Sequence, residues 1–206
     1  MDLNLNSCII KVINLDSRPD RWERVQEELK TLGLTNYTRF PALTDGGAWK
    51  GSVMSHFRCI TEGETGYLLL FEDDVCFEPN APHIIAEAVK QLPDDFDMFY
   101  MGANVKTPAE RYSENLFEVT FGVHTNHAIL FSENARNVIR ENYHPSNKDY
   151  PTFDHWLYMK GLSMMKCFVC YPMMAFQKGG LSDVRQEYLD DIYREEMLEN
   201  QKNHMI

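Results

Sequence analysis

Apolar residues change their period several times along the chain, and each change marks a predicted element. Ser7 to Leu15 (SCIIKVINL) is short, rich in β-branched residues and followed at once by polar turn residues, the pattern of a buried strand. From Pro19 the apolar positions Trp22, Val25, Leu29 and Leu32 recur at helical spacing, with the proline suited to a first turn and Gly33 to a stop. Tyr37 to Leu43 then reads as a short strand ending at Asp45-Gly46-Gly47, and Trp49 to Glu62 as a helix that carries Ser55 and His56. Tyr67 to Phe71 (YLLLF) is almost wholly apolar, as in a strand buried on both faces of a parallel sheet, and it runs straight into Glu72, Asp73 and Asp74.

A helix over Pro82 to Leu92 follows, then strand candidates at Asp97 to Met101, Leu116 to Phe121 and His127 to Ser132. Glu133 to Glu141 reads as a helix, Asp154 to Lys160 as a short helix and Met164 to Tyr171 as a strand. Asp183 to Asn200 reads as a terminal helix with Val184, Tyr188, Leu189 and Ile192 on its buried stripe. The longest irregular stretch, Asn142 to Thr152 with Pro145 and Pro151, reads as a mobile loop beside a site. Strands and helices alternate in the first half, which implies a mostly parallel α/β sheet with right-handed crossovers and helices on both faces. In such sheets ligands bind beyond the carboxyl ends of the strands, so the polar ends of these strands are where chemistry is expected.

At 206 residues and 44% hydrophobic, the chain suits one domain over 1–206. No apolar run is long enough to span a bilayer and no basic-then-apolar leader opens the chain, so a cytoplasmic protein is expected. Five cysteines cannot all pair, which fits a reducing compartment; Cys167 and Cys170 form a C-x-x-C inside a predicted strand, where they read as core residues rather than zinc ligands. The net charge of −11, without any concentrated basic run, disfavours nucleic acid as a partner. Part of that charge belongs to the acidic segment from Leu181 to Asn200.

The acidic triplet is the strongest chemical signal. Like charges about 6 Å apart repel by about 3 kcal/mol at an effective dielectric near 20, a sizeable fraction of a domain's net stability. A divalent cation reverses that term. Mg²⁺ or Mn²⁺ takes oxygen ligands and keeps water and substrate phosphates in its shell, so few protein ligands are required. Acidic residues ahead of a helix also offset its dipole, and the triplet precedes the helix at Pro82 by a short loop, so both readings stand on the triplet alone. Phosphohydrolases and nucleases carry similar clusters.

Several segments read together resemble the family-25 glycosyltransferases: Val12 to Arg21 (VINLDSRPDR), Arg39-Phe40-Pro41-Ala42 with Asp45-Gly46, Gly51 with Ser55-His56, and Leu70 to Val75 (LFEDDV). Asp97 to Gly102, His127 to Ala135, Asp154, and Gln177 with Ser182-Asp183-Val184 continue the match in order along almost the whole chain. The chain departs from the pattern in lacking a cysteine before the Ser-His pair, in having Phe71 where leucine is common, and in its shortness. The family includes bacterial lipopolysaccharide glycosyltransferases and collagen hydroxylysine galactosyltransferases, and it has the GT-A fold. The resemblance therefore implies a GT-A-like nucleotide-diphosphosugar transferase fold, with 1–102 as the nucleotide-sugar-binding half and 103–206 as the acceptor-side half ending in a helix.

It further implies a metal-dependent transfer of a hexose, galactose or glucose, from a UDP-sugar to a carbohydrate or protein hydroxyl, with inversion. Asp74 and Glu72 would hold Mn²⁺ or Mg²⁺. Donor contacts would come from Asn14, Leu15, Arg18, Arg21, Asp45, Ser55, His56, Glu72, Asp73, Gln177, Ser182 and Asp183, with Gly179-Gly180 letting the last segment move. Asp154, far in sequence from the triplet, would be the base that removes the acceptor's proton. Bland roles fit several of these residues equally well: a surface ion pair for Arg21, a turn for Asp45-Gly46, a satisfied core histidine for His56, and a helix cap for Asp154, Ser182 or Asp183. His124, His127 and His155 are spaced like no strong metal motif. A metal-dependent phosphohydrolase and a non-catalytic nucleotide-sugar-binding module are the competing readings.

Overall fold

The changes of period become elements close to the positions they mark. In a computed structural model describing residues 3–183, 187–189 and 192–206, the first half runs β1 (Ile9–Asn14), α1 (Pro19–Thr31), β2 (Tyr37–Pro41), α2 (Ala48–Thr61), β3 (Leu68–Glu72), β4 (Val75–Phe77), α3 (Ala81–Gln91) and β5 (Met98–Tyr100). The second half adds β6 (Asn104–Val105), β7 (Glu110–Arg111), β8 (Leu116–Val119), β9 (Val123–His124), β10 (Ala128–Phe131), α4 (Glu133–Asn142) and α5 (Phe153–Met159). It closes with β11 (Cys167–Cys170), β12 (Ala175–Gln177), β13 (Gly180–Ser182), β14 (Glu187–Leu189) and α6 (Ile192–His204). Helix starts follow local chemistry: Pro19 opens α1, and the Ser132 hydroxyl accepts the Ala135 N–H at the head of α4.

One eight-stranded sheet has the order β2-β1-β3-β10-β5-β11-β8-β7. β1 is parallel to β2 and β3, and β5 to β11, whereas β10 and β8 run opposite to their neighbours, so six strands share one direction. Residues 68–71 of β3 are wholly buried, as an apolar run without alternation requires. Their side chains feed both faces. Leu69 and Phe71 pack with Val25 and Leu29 of α1 and Ile85 and Val89 of α3; Leu68 and Leu70 pack with Ile60 of α2, Ile139 of α4, Trp156 of α5 and Met197 of α6. Each such side chain contributes about 1.5–3 kcal/mol of burial.

The tail differs from expectation. A helix is expected from Asp183, but α6 begins only at Ile192, and Tyr188 and Leu189 belong to a strand that pairs antiparallel with 180–182. Val184 lies outside the described residues. A heavily charged segment has little helical drive without a packed face, and hairpin pairing satisfies its backbone instead. The short strands β4, β6, β7, β9 and β12 are also absent from the sequence expectation, because two or three residues are too few to display a period. Cys167 and Cys170 are buried within β11, and all five cysteines are free thiols. Among the described residues no helix is long and apolar enough to cross a membrane.

β4 matters for the site, because it pairs with β12 and thereby draws Gln177 beside the acidic turn. Gly102 permits this approach: a Cβ there would lie 1.9 Å from the carbonyl oxygen of Ala175, a backbone atom that cannot swing aside. Gly102→Ala is expected to destabilise the protein by about 3 kcal/mol or more, read as a lowered urea midpoint.

Candidate active site

An open cleft of about 1270 Å³ lies beyond the carboxyl ends of β1 and β3, floored by Glu72, Asp73 and Asp74. Alternation along β3 would send Asp73 away from its neighbours, but the strand ends at Glu72 and the next two residues turn into β4. All three carboxylates therefore reach the cleft. Asn14, Leu15, Arg21, Ser55, His56, Asp154, Gln177 and Asp183 line it as well.

The three acids have different surroundings. Glu72 is engaged on both oxygens: Oε1 is 2.9 Å from His56 Nε2, and Oε2 accepts the Gln177 amide at 3.0 Å. His56 Nδ1 lies 2.9 Å from the Ser52 carbonyl, an acceptor, so Nδ1 carries a proton and the charged ring donates from both nitrogens. Burial opposes that charge, yet the hydrogen bond and charge of Glu72 outweigh it and hold the imidazole above its ordinary value. Burial likewise pushes Glu72 up, and His56 overrides it to leave the carboxyl below its ordinary value. Both oxygens of Asp73 are occupied too, one accepting from Asn14 Nδ2 at 2.7 Å and the other from Arg21 at 3.0 Å.

Asp74 is different. Its Oδ1 is buried without a hydrogen-bond partner among the described residues, and its Oδ2 is 3.9 Å from Arg21. Burial first, then the charges of Glu72 and Asp73, push its carboxyl up to about 7. An orphaned buried oxygen among like charges fits a divalent cation, and it singles out Asp74 within the expected pair, since the Glu72 oxygens are engaged by protein donors. Among the described residues no group of three or more His, Cys, Asp or Glu side chains is placed to hold an ion unaided. His127 is wholly buried, while His124 and His155 line the cleft.

Other expected residues take supporting places. Arg18 bonds Asp20 and, at 2.6 Å, Asp183, tying the loop after β1 to the segment after β13. The Ser55 hydroxyl donates to the Gly51 carbonyl and accepts the Leu43 N–H at 2.8 Å, fastening the loop after β2 to α2. Gly51 allows that contact, since a Cβ would sit 2.1 Å from the Leu43 carbonyl oxygen. Asp45 is exposed on the loop before α2 and is not part of the cleft lining. The side chain of Ser182 lies outside the described residues. Asp154 follows Phe153, whose ring stacks on His56 with centroids 6.2 Å apart; its Oδ1 accepts the His155 N–H at 3.0 Å and its Oδ2 lies 3.6 Å from His124 Nδ1, and the cap of α5 is Thr152.

No protein-family model and no curated protein sequence matches the chain. Solved structures do. A UDP-glucose pyrophosphorylase complexed with UDP-glucose aligns over 97% of this chain and 82% of its own, with a TM-score of 0.53 at 8% identity. The fold is GT-A-like. A glycosyltransferase involved in the glycosylation of the major capsid of PBCV-1 aligns over 79% of this chain and 80% of its own, with a TM-score of 0.49 at 12% identity. At these identities the likeness is one of fold.

Within the GT-A-like frame the cleft contains residues that sequence reasoning passed over. Lys178 donates its backbone N–H to the Asp74 carbonyl at 2.8 Å and lines the cleft; its position between Gln177 and the Gly179-Gly180 pair was a usable signal. Trp49, 53% exposed at the start of α2, puts an aromatic ring on the cleft wall, but on a helix that reads as amphipathic it carried no mark of its own. Thr125 and Asn126 sit in a connection with no period, and only the folded chain brings them to the site.

Proposed function

We propose that the protein is a metal-dependent glycosyltransferase related to family 25, moving galactose or glucose from a UDP-sugar to a carbohydrate or protein hydroxyl with inversion. The observation that carries this reading is the buried Asp74 oxygen, unpartnered among the described residues, in a GT-A-like cleft beside two carboxylates already neutralised by protein donors. Asp74 would hold Mn²⁺ or Mg²⁺. Such an ion stabilises the negative charge on a departing diphosphate. Arg21 and Lys178 flank the same turn and offer cationic donors to phosphate oxygens. Asn14, Gln177 and His56 hold Glu72 and Asp73 in place, so the floor is rigid before a donor arrives. Trp49 offers a stacking surface to a base or sugar ring.

The residues of 1–102 supply the acidic floor, and Asp154 and His124, from 103–206, line the same cleft, where an acceptor hydroxyl would lose its proton. The five free cysteines suit work in the cytoplasm, where thiols stay reduced.

Calorimetry with UDP, UDP-glucose and UDP-galactose, with and without Mn²⁺, tests the reading. Binding that requires both the uridine diphosphate and the ion is expected, with sugar release or transfer on incubation. Release of inorganic phosphate from nucleotides with no sugar moved would favour a phosphohydrolase, and binding of none of the three ligands would refute the proposal.

A further inference from the structure

The cleft that the acidic turn floors holds two further groups able to take a proton, and they are not equivalent. Burial alone would raise the Asp154 carboxyl, but His124, Thr152 and the His155 N–H overcome it and hold it down to about 2. A carboxylate that acidic accepts a proton from a hydroxyl poorly, because general bases work best when their pKa lies near the working pH. Imidazoles meet that condition.

His124 is at the end of β9, paired through Asn104 with β6, and its ring stacks on Tyr158 with centroids 4.4 Å apart. Its Nδ1 faces Asp154 Oδ2 at 3.6 Å, a separation typical of catalytic pairs before substrate tightens them. With Nδ1–H directed to the carboxylate, Nε2 carries the lone pair. The side chain is about one third exposed and lines the cleft. The charged or titratable groups around it are Asp154 and Tyr158 on α5, Glu196 on α6, and Lys106, which is ion-paired with Glu196.

The next two residues add an independent mark. Thr125 has φ of +79°, the only positive φ of a non-glycine residue among the described residues, and strain of this kind persists where surrounding structure enforces it for a task. Among the described residues Thr125 Oγ1 and Asn126 Oδ1 are buried without a hydrogen-bond partner, and both residues line the cleft. Oxygens so placed suit the hydroxyl donors of an acceptor held beside His124.

We propose that His124 Nε2 is the proton acceptor of the transfer, that Asp154 is the positioning residue for its ring, and that Thr125 and Asn126 hold the acceptor's hydroxyls. The inference rests on the glycosyl-transfer reading above. The acceptor oxygen forms a bond to the anomeric carbon, the bond from that carbon to the diphosphate oxygen breaks, and its electron pair leaves with UDP. The acceptor's proton passes to Nε2, giving an imidazolium beside the Asp154 carboxylate, and is later released to water.

UDP-glucose and UDP-galactose with Mn²⁺, and water as the acceptor, provide the test. His124→Gln and His124→Asn should each lower kcat by about 100-fold or more with donor affinity by calorimetry unchanged. Asp154→Asn should lower kcat without raising the donor KM, and Asp154→Glu should recover part of the loss. A wild-type kcat in either His124 variant would overturn the assignment while leaving the donor reading intact. Wild-type protein that binds neither donor would overturn both.

Discussion

Asn in place of Asp74 is expected to make the metal-free protein more stable while abolishing its response to Mn²⁺. The Asp74 carboxyl is pushed up to about 7 by burial and by Glu72 and Asp73. Between its unfolded value of about 3.9 and about 7, the folded state therefore binds the extra proton, and stability falls as pH rises through that window. By pH 8 the lost stability is on the order of 4 kcal/mol as an upper limit. An amide carries no charge to be repelled, so Asp74→Asn should raise Tm at pH 8 by roughly 5–10 °C and flatten the pH dependence between 4 and 7. Mn²⁺ should raise the Tm of the wild type and leave that of the variant unmoved. With donor present, turnover should drop by about 100-fold or more, the range seen when a charge-stabilising group is removed. Scanning calorimetry across pH with and without Mn²⁺ reads the stability effects; a variant no more stable than wild type at pH 8 would contradict the crowding of charge at this turn.

The second large effect is opposite in sign. His56→Ala would strand Glu72, a half-buried carboxylate held below its ordinary value by the buried His56 imidazolium. Breaking one side of a buried pair costs about 3–5 kcal/mol, because the remaining charge is uncompensated. The pH window follows from the two directions. The contribution of His56, whose folded value is raised, is complete below the unfolded imidazole value of about 6.5 and is lost as pH climbs through the folded one. That of Glu72, whose folded value is lowered, is complete above about 4.3 and is lost as pH falls through the folded one. The deficit in His56→Ala should thus be greatest near pH 5–6 by urea denaturation. Adding Glu72→Gln to His56→Ala should recover part of it, since an amide needs no counter-charge. Equal stability of the single and double variants would show that packing of the His56 ring against Phe153, rather than charge, dominates.

How far the sequence was legible depended on whether a property belongs to one segment. β3 was visible because an unbroken apolar run means burial on both faces, and the three acids at its end were visible for the same reason. α1, α2 and α4 followed from their spacing, with boundaries within a residue or two. The hairpin of β13 and β14 was not legible: Val184, Tyr188 and Ile192 recur at every fourth position, which mimics a helix, and local period cannot register that a neighbouring strand offers better hydrogen bonding.

By itself the sequence determined a GT-A-like α/β layering, the acidic turn at the end of β3, and most of the residues that line the cleft there. Tertiary structure alone decided what each acid does. Glu72, Asp73 and Asp74 are adjacent in the chain, yet two are satisfied by His56, Gln177, Asn14 and Arg21, drawn from α2, β12, β1 and α1, and the third is left open. The same holds for Asp154, which reads as a lone base until β9 brings His124 beside it. Periodicity reports how a segment meets solvent, whereas a carboxylate's charge state depends on donors and burial arriving from elsewhere in the chain, and those are set by strand order and helix docking.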